Sequence, residues 1–435
     1  MKSQVSAMSL ETINIYWLMI GLSLVVILSY TFNYISMMTR VPSVVLLIFT
    51  GYIVSIFLPI DSLNLKPFLQ FLGAVGLIMI VLEASLDLEL KKEKRKLMIK
   101  AILIALFLLI LNSIIVGVLI LWVFKVPMVQ ALFYAIPLSI MSSAIIIPSV
   151  GHLNEHKKEF LIFEAAFSDI FGIMFFYFLE DSLNIETSSE IVVSILTNVG
   201  VTAIISLVLG YLIILLVQKV KAQVKLFLPI AVLILLYSVG KLFHLSSLIF
   251  ILFFGLMINN RDMFFKGTLL KLVKKSNFNA TLEDLKMLTL ETSFLVRTFF
   301  FIVFGMSITA HGMDDPMVYF VGFLTVIIFF VGRWGLFNIA MKKDKNPALW
   351  IAPRGLITIL LYFAIPESMI IEGFHPAILL LVILLTNLLM TYGLMKFTPK
   401  TGLDEINGTD EINETNIFEE ESSVSELDNI EDSDE

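Results

Sequence analysis

Two carboxylates interrupt an otherwise apolar stretch, FLIFEAAFSDIFGIMFFYFL from Phe160 to Leu179, where Glu164 and Asp169 are the only charges. Near the centre of a membrane helix an acidic residue costs roughly 2.5–3.5 kcal/mol, so two cost about 5–7 kcal/mol unless they are paired, protonated or holding a cation. A lone carboxylate in a half-dry cavity holds either a proton or a small monovalent cation, and each occupant excludes the other. Asp169 is the candidate carrier. Ser168 beside it offers a hydroxyl oxygen, the ligand type hard cations prefer. The competing readings are an ion pair that only staples helices for Asp169 and plain packing for Ser168.

Glu164 lies four positions before Ser168 and shares its helix face, while Asp169 points somewhat away. The two acids therefore need not do the same job. Arg333, in TVIIFFVGRWGLF, is available to fork onto Glu164, and that pairing is the expectation; the alternative is Arg333 snorkelling to the membrane surface. Two further charges sit in apolar context, Glu83 in GLIMIVLEASLDL and Arg297 in FLVRTFFFIVFG. Glu83 is read as a possible auxiliary or as an interfacial residue ahead of Asp87, and Arg297 as a possible partner of Glu291. His152 and His156, four apart, fit a wet loop better than zinc. With no cysteine in the chain, disulfides and thiolate metal sites are excluded, and no cofactor or resident metal is expected.

The elements that must hold these residues follow from composition. Of 435 residues 58% are hydrophobic and only 15% charged, with mean hydropathy +0.93, far from the quarter or so of charged residues in soluble domains. Thirteen apolar segments are read, at 13–32, 41–59, 68–86, 98–124, 128–150, 160–180, 190–217, 225–241, 244–259, 289–310, 317–341, 347–366 and 376–397. The expected fold is an all-α polytopic membrane protein of about 13 transmembrane helices. The first run, which follows a single early Lys2 and no small-residue cleavage pattern, is read as a retained helix rather than a signal peptide. Loops after odd-numbered segments, with the segment ends that adjoin them and the C-terminal flank, carry 23 basic residues against four on the other side, Lys2, Lys66, Lys125 and Lys241. That bias predicts N-out/C-in topology and a C-terminal tail in the cytoplasm. The tail, 401–435, holds 14 acidic and no basic residues, leaving a net +7 on the first 400; its composition is that of a disordered segment. Its sequons at Asn407 and Asn413 carry little weight on the cytoplasmic side.

Two segments are broken in a way ordinary spans are not. Segment five, AIPLSIMSSAIIIPSVG, has Pro137 and Pro148 flanking Ser139, Ser142 and Ser143. Segment twelve, WIAPRGLITILLYFAIP, has Pro353, Arg354 and Gly355 near one end and Pro366 at the other. Backbone groups freed there must find partners in protein, water or a bound ion. Interrupted segments in matching positions of two halves point to a transporter site and an inverted repeat, with two discontinuous crossing helices.

At these motifs the chain resembles the monovalent cation:proton antiporter superfamily, the sodium/hydrogen exchangers, over about residues 10–400. EAAFSDIFG is similar to the family's acid-x-x-x-polar-Asp signature, LSIMSSAIIIPS to its unwound fifth helix, APRGLITILL to its unwound twelfth, and RTFFFIVFGMSI to its aromatic tenth. The resemblance implies a division into 1–96 (dimerisation helices 1–3), 97–189 (core helices 4–6), 190–220 (linker helix 7), 221–310 (dimerisation helices 8–10), 311–400 (core helices 11–13) and the tail 401–435. It implies a homodimer and a moving core. It also supports Asp169 as the ion and proton carrier and Glu164–Arg333 as the neighbouring pair; Ser168, Ser142 and Ser143 are read with Asp169 as the ion- and proton-binding residues, and Glu83, Arg297 and Arg354 as possible auxiliaries. Ser168 departs from the family, where Asn marks the electroneutral branch and Asp the electrogenic one; Ser142-Ser143 stands where many exchangers have Thr-Asp.

Lacking a second adjacent carboxylate, Ser168-Asp169 can release one proton per cation bound. Exchange of Na⁺ or Li⁺ for H⁺ is then electroneutral and indifferent to a potential worth about 2.3 kcal/mol per charge per 100 mV. K⁺/H⁺ exchange is the rival substrate reading. A non-transporting sensor or scaffold using the acidic tail is the rival class, and an enzyme is not expected because no nucleophile–histidine pair or metal cluster falls in the segments. The expected surroundings are a plasma membrane and its lipid, with no nucleic-acid partner.

Overall fold

Apolar runs of this length become helices in hydrocarbon because each backbone N–H and C=O must find its partner within the segment. The computed structural model describes residues 15–39, 42–57, 66–88, 93–151, 153–183, 200–201, 204–205, 208–212, 227–242, 247–260, 275–307, 314–341 and 345–397. Most of the predicted segment 190–217, the tail 401–435, Lys91, Lys92, His152 and the basic stretch 261–274 lie outside the described residues.

Every regular element among the described residues is helical. They are α1 (Ile15–Thr39), α2 (Ser43–Phe57), α3 (Lys66–Asp87), α4 (Arg95–Phe124), α5 (Met128–Ser139), α6 (Ser143–Ser149), α7 (Glu155–Ser182), α8 (Phe227–Leu242), α9 (Ser247–Asn259), α10 (Lys275–Ser307), α11 (Pro316–Ala340), α12 (Leu356–Phe363) and α13 (Ala377–Phe397), with a short 3₁₀ helix at Glu367–Met369. On α4, Leu103, Phe107, Ile110, Ile114, Val118 and Trp122 are all exposed at spacings of three and four. A stripe of this kind would be a liability in water and is the ordinary outer face of a helix in lipid.

The helices pack in two groups. In one, α4 lies against α5, α7 and α11, α6 against α7, α12 against α5, and α13 against α11. In the other, α10 lies against α2 and α3, α9 against α3 and α8, and α1 against α2 and α10. From the second group, α3 reaches across to α7 and α12. The contact of α2 with α10 is backbone on backbone: a Cβ on Gly51 would lie 2.1 Å from the Ile302 carbonyl oxygen, and one on Gly305 2.2 Å from that of Ile48. Without a hydrophobic drive between helices in lipid, such close approach at small residues is what holds them.

Three boundaries differ from the sequence reading. α10 begins at Lys275 rather than 289, because its first turns carry Glu283, Asp284 and Lys286 and project beyond the apolar zone. Segment five breaks at Ile140–Ser142, whereas Pro137 and Pro148 lie inside α5 and α6. Segment twelve is α-helical only over Leu356–Phe363, with residues 351–355 outside any helix; Pro353 has no N–H to give and disfavours helix at Ala352.

Candidate functional site

The two breaks meet. The Ser142 N–H donates to the Pro353 carbonyl at 2.9 Å, joining backbone to backbone where neither chain is helical. Gly355 is required at this approach, since a Cβ there would lie 2.5 Å from Ser142 Oγ and 2.8 Å from Ser142 Cβ. The amides on either side of Ser142 turn to α7: Met141 N–H donates to Ser168 Oγ at 3.0 Å and Ser143 N–H to Asp169 Oδ2 at 3.1 Å. Segment five thus breaks where three successive amides find acceptors outside their own helix, which compensates for the lost helical bonds. The Ser143 hydroxyl faces the same carboxylate.

Asp169 is buried at 3% exposure, and its Oδ1 has no partner among the described residues. It borders a cavity of about 30 Å³ lined by Ile80, Val81, Ala84, Ile173 and Leu252 among others, room for roughly two waters. One carboxylate oxygen is therefore anchored at the helix break and the other faces a small apolar chamber between the two helix groups. Such an oxygen needs a proton or a cation.

Glu164 is engaged differently. Arg333 NH1 and NH2 donate to its Oε1 and Oε2 at 2.5 and 2.9 Å, with both residues at most 2% exposed. The same guanidinium donates through Nε and NH2 to the Ala348 carbonyl at 3.1 and 2.9 Å and stacks 4.4 Å over the Phe337 ring. The pair ties α7 to α11 and to the turn that leads into the second break. Arg354, also buried, donates from Nε to Leu138 O at 2.9 Å and from NH1 to Ala352 O at 2.7 Å, with its Cζ 4.1 Å from the Phe329 ring centroid. It covers the Leu138 carbonyl at the C-terminal end of α5, where a cation meets the negative end of the helix dipole.

Arg297 does not reach Glu291. Its NH2 lies 3.4 Å from Glu83 Oε1, while Glu291 accepts from the Tyr30 hydroxyl at 2.9 Å. The pair borders a cavity of about 200 Å³ between α1, α2, α3, α6 and α10, to which Ser143 also contributes. Among the described residues no group of acidic, histidine or cysteine side chains could hold a metal ion.

Sequence reasoning passed over several neutral polar groups. Thr386 Oγ1 accepts from the Arg354 N–H at 3.1 Å and the Asn387 amide donates to the Arg354 carbonyl at 3.0 Å, both from α13. Asn112 on α4, 3% exposed, borders a second cavity beside Ser168. Tyr177 of α7 and Tyr237 of α8 share a hydrogen bond with Glu180 nearby. The available signal was a lone amide or hydroxyl within an apolar run, as in LLILNSIIVG and ILLTNLLM.

The model of the transmembrane sodium/hydrogen exchanger family matches residues 22–396. The chain belongs to that family. Its fold is shared with the sodium proton antiporter MjNhaP1 of Methanocaldococcus jannaschii. The structure of MjNhaP1 at pH 8 has 18% identity and a TM-score of 0.67, covering 87% of this chain and 100% of that one. A second structure of MjNhaP1, from an electron microscopy map, has 17% identity and a TM-score of 0.62, covering 87% and 95%. At this identity the likeness establishes the fold. No curated protein matches the sequence. Family and fold together identify a multi-pass membrane protein of the exchanger type.

Proposed function

We propose that this protein exchanges Na⁺ or Li⁺ for H⁺ one for one, with Asp169 as the sole group that alternates between proton and cation. The observation that supports it is the division of labour between two acids one turn apart. Both oxygens of Glu164 are taken by Arg333, whose guanidinium stays charged, while Asp169 keeps one buried oxygen unpartnered beside a water-sized chamber. Ser168 contributes a neutral oxygen and Ser143 anchors the carboxylate; Ser142 holds the two breaks together and contributes to the site through that placement. One acid then means one proton released per cation bound, and the cycle moves no net charge.

In this reading α4–α7 with α11–α13 carry Asp169 past α1–α3 and α8–α10, which form the static half and the dimer contact, in a plasma membrane with the tail 401–435 in the cytoplasm. The packing of helices into these two groups supports it. Glu83 and Arg297 line the wider cavity leading to Ser143 and would compete with an arriving cation for each other's charge.

The test uses the purified full chain in liposomes loaded at acid pH with an internal pH dye. Added Na⁺ or Li⁺ is expected to raise the internal pH, Asp169→Asn to abolish the signal, and clamping the voltage with K⁺ and valinomycin to leave the rate unchanged. A response to K⁺ alone, measured without the ionophore, would reassign the substrate. A rate that follows the imposed voltage would overturn one-for-one exchange.

A further inference from the structure

A further small cavity, of about 20 Å³, borders Ser168. Its lining includes Asn112 of α4, Ser139 of α5, Glu164 and Ser168 of α7, and Arg333 and Arg354. The volume accommodates a single water comfortably, since one needs roughly 10–15 Å³. Hydrogen-bond satisfaction at its walls is incomplete in a complementary way. Ser168 Oγ accepts from the Met141 N–H, and its own hydroxyl proton has no acceptor among the described residues. Asn112 Oδ1 is an acceptor with no donor, buried at 3% exposure. Ser139 spends its proton on the Ala135 carbonyl at 2.7 Å and keeps lone pairs to accept. One donor without an acceptor and two acceptors with capacity border one water-sized space, walled by six polar residues. A cation is disfavoured there by the two guanidinium groups.

We infer that this cavity holds one ordered water, which accepts from the Ser168 hydroxyl and donates to Asn112 Oδ1 and Ser139 Oγ. These three bonds are the usual number for a buried water. The consequence for transport rests on the proposed role of Asp169 and Ser168. With its proton drawn into this cavity and one lone pair held by Met141 N–H, the Ser168 oxygen keeps its remaining lone pair for a cation at Asp169. Without the water the hydroxyl is free to turn to other acceptors, the neighbouring Asp169 carboxylate among them, where it competes with the cation. Asn112 is thus a positioning residue for cation binding although it lies on α4 and not on the carrier's own helix.

Two substitutions separate this role from packing. Asn112→Leu conserves volume and removes the acceptor; Asn112→Ala also removes it but leaves space for a second water in the amide's place. In liposomes at fixed pH, Asn112→Leu is expected to raise the apparent KM for Na⁺ by about five- to ten-fold, the scale of one lost hydrogen bond, with Vmax within about twofold of the parent. Asn112→Ala is expected to restore most of the affinity. Equal impairment in both variants, an unchanged KM in Asn112→Leu, or a fall in Vmax alone would refute the positioning role. An experimental map at high resolution tests the site without reference to transport. A single peak within hydrogen-bond distance of Ser168 Oγ and Asn112 Oδ1 supports the water, and an empty cavity in a map that shows other buried waters overturns it. Loss of all cation-driven proton movement in the parent would sink the exchange reading and leave the water to be judged by the map.

Discussion

Replacing Glu164 by Gln leaves the Arg333 guanidinium buried with one carbonyl, one ring face and a neutral amide for company. The parent geometry sets the scale: a two-pronged contact at 2.5 and 2.9 Å between groups at most 2% exposed, with Ala348 O taking two further N–H donors. Breaking such a pair from one side costs about 3–5 kcal/mol, because the remaining charge stays desolvated. Removing both charges, in Glu164→Leu with Arg333→Met, removes that penalty; paired apolar replacement ranges from neutral to about 1–4 kcal/mol stabilising. Against this, the Ala348 carbonyl loses its donors, at roughly 1–3 kcal/mol. The double variant is therefore expected within about 3 kcal/mol of the parent and, at the centre of these ranges, more stable than Glu164→Gln. Equilibrium unfolding in mixed micelles, followed by the fluorescence of Trp334 and Trp350 near the pair, reads this order directly. A Glu164→Gln protein as stable as the parent, or a double variant less stable than the single, would refute the buried-pair argument. The same double variant tests stoichiometry. If Glu164 only holds helices together, cation-driven proton movement survives in it; if a folded double variant is silent, Glu164 carries charge in the cycle and one-for-one exchange is wrong.

Gly355→Ala forces a methyl to within 2.5 Å of Ser142 Oγ and 2.9 Å of Ile145 Cδ1, at a point pinned by the Ser142–Pro353 hydrogen bond. Overpacking of this kind costs about 1–3 kcal/mol, so transport is expected to fall roughly tenfold or more while the detergent-purified protein keeps its size-exclusion profile; undiminished transport would show that the breaks need not touch. Arg354→Met removes the donors to Leu138 O and Ala352 O. Amide exchange measured by mass spectrometry is expected to quicken over residues 128–149 and stay unchanged over 101–124, and equal quickening in both would mean general loosening instead.

Charged positions were legible in the sequence because the cost of a bare charge in hydrocarbon does not depend on knowing its partner. Glu164, Asp169, Arg333 and Arg354 each required an explanation before any contact was known, and the folded chain brings all four to the two helix breaks. Choosing partners needed more. Six positions separate Glu291 from Arg297, about 240° around a helix, so the residues face apart, and only the packing of α10 on α3 supplies Glu83 instead. The breaks were legible as regions but not as positions. Pro137 and Pro148 marked the segment, yet the helix opens between them, at the residues whose amides can reach Ser168, Pro353 and Asp169. Neutral polar residues were least legible, because an amide or hydroxyl inside a helix costs little and leaves no mark on hydropathy. Thr386 and Asn387 acquire meaning only from tertiary placement, where both meet the Arg354 backbone at the second break, and Asn112 only from the cavity it shares with Ser168. The residues proposed to carry the ion are thus the ones its sequence advertises, and those proposed to orient the oxygens around it are the ones it conceals.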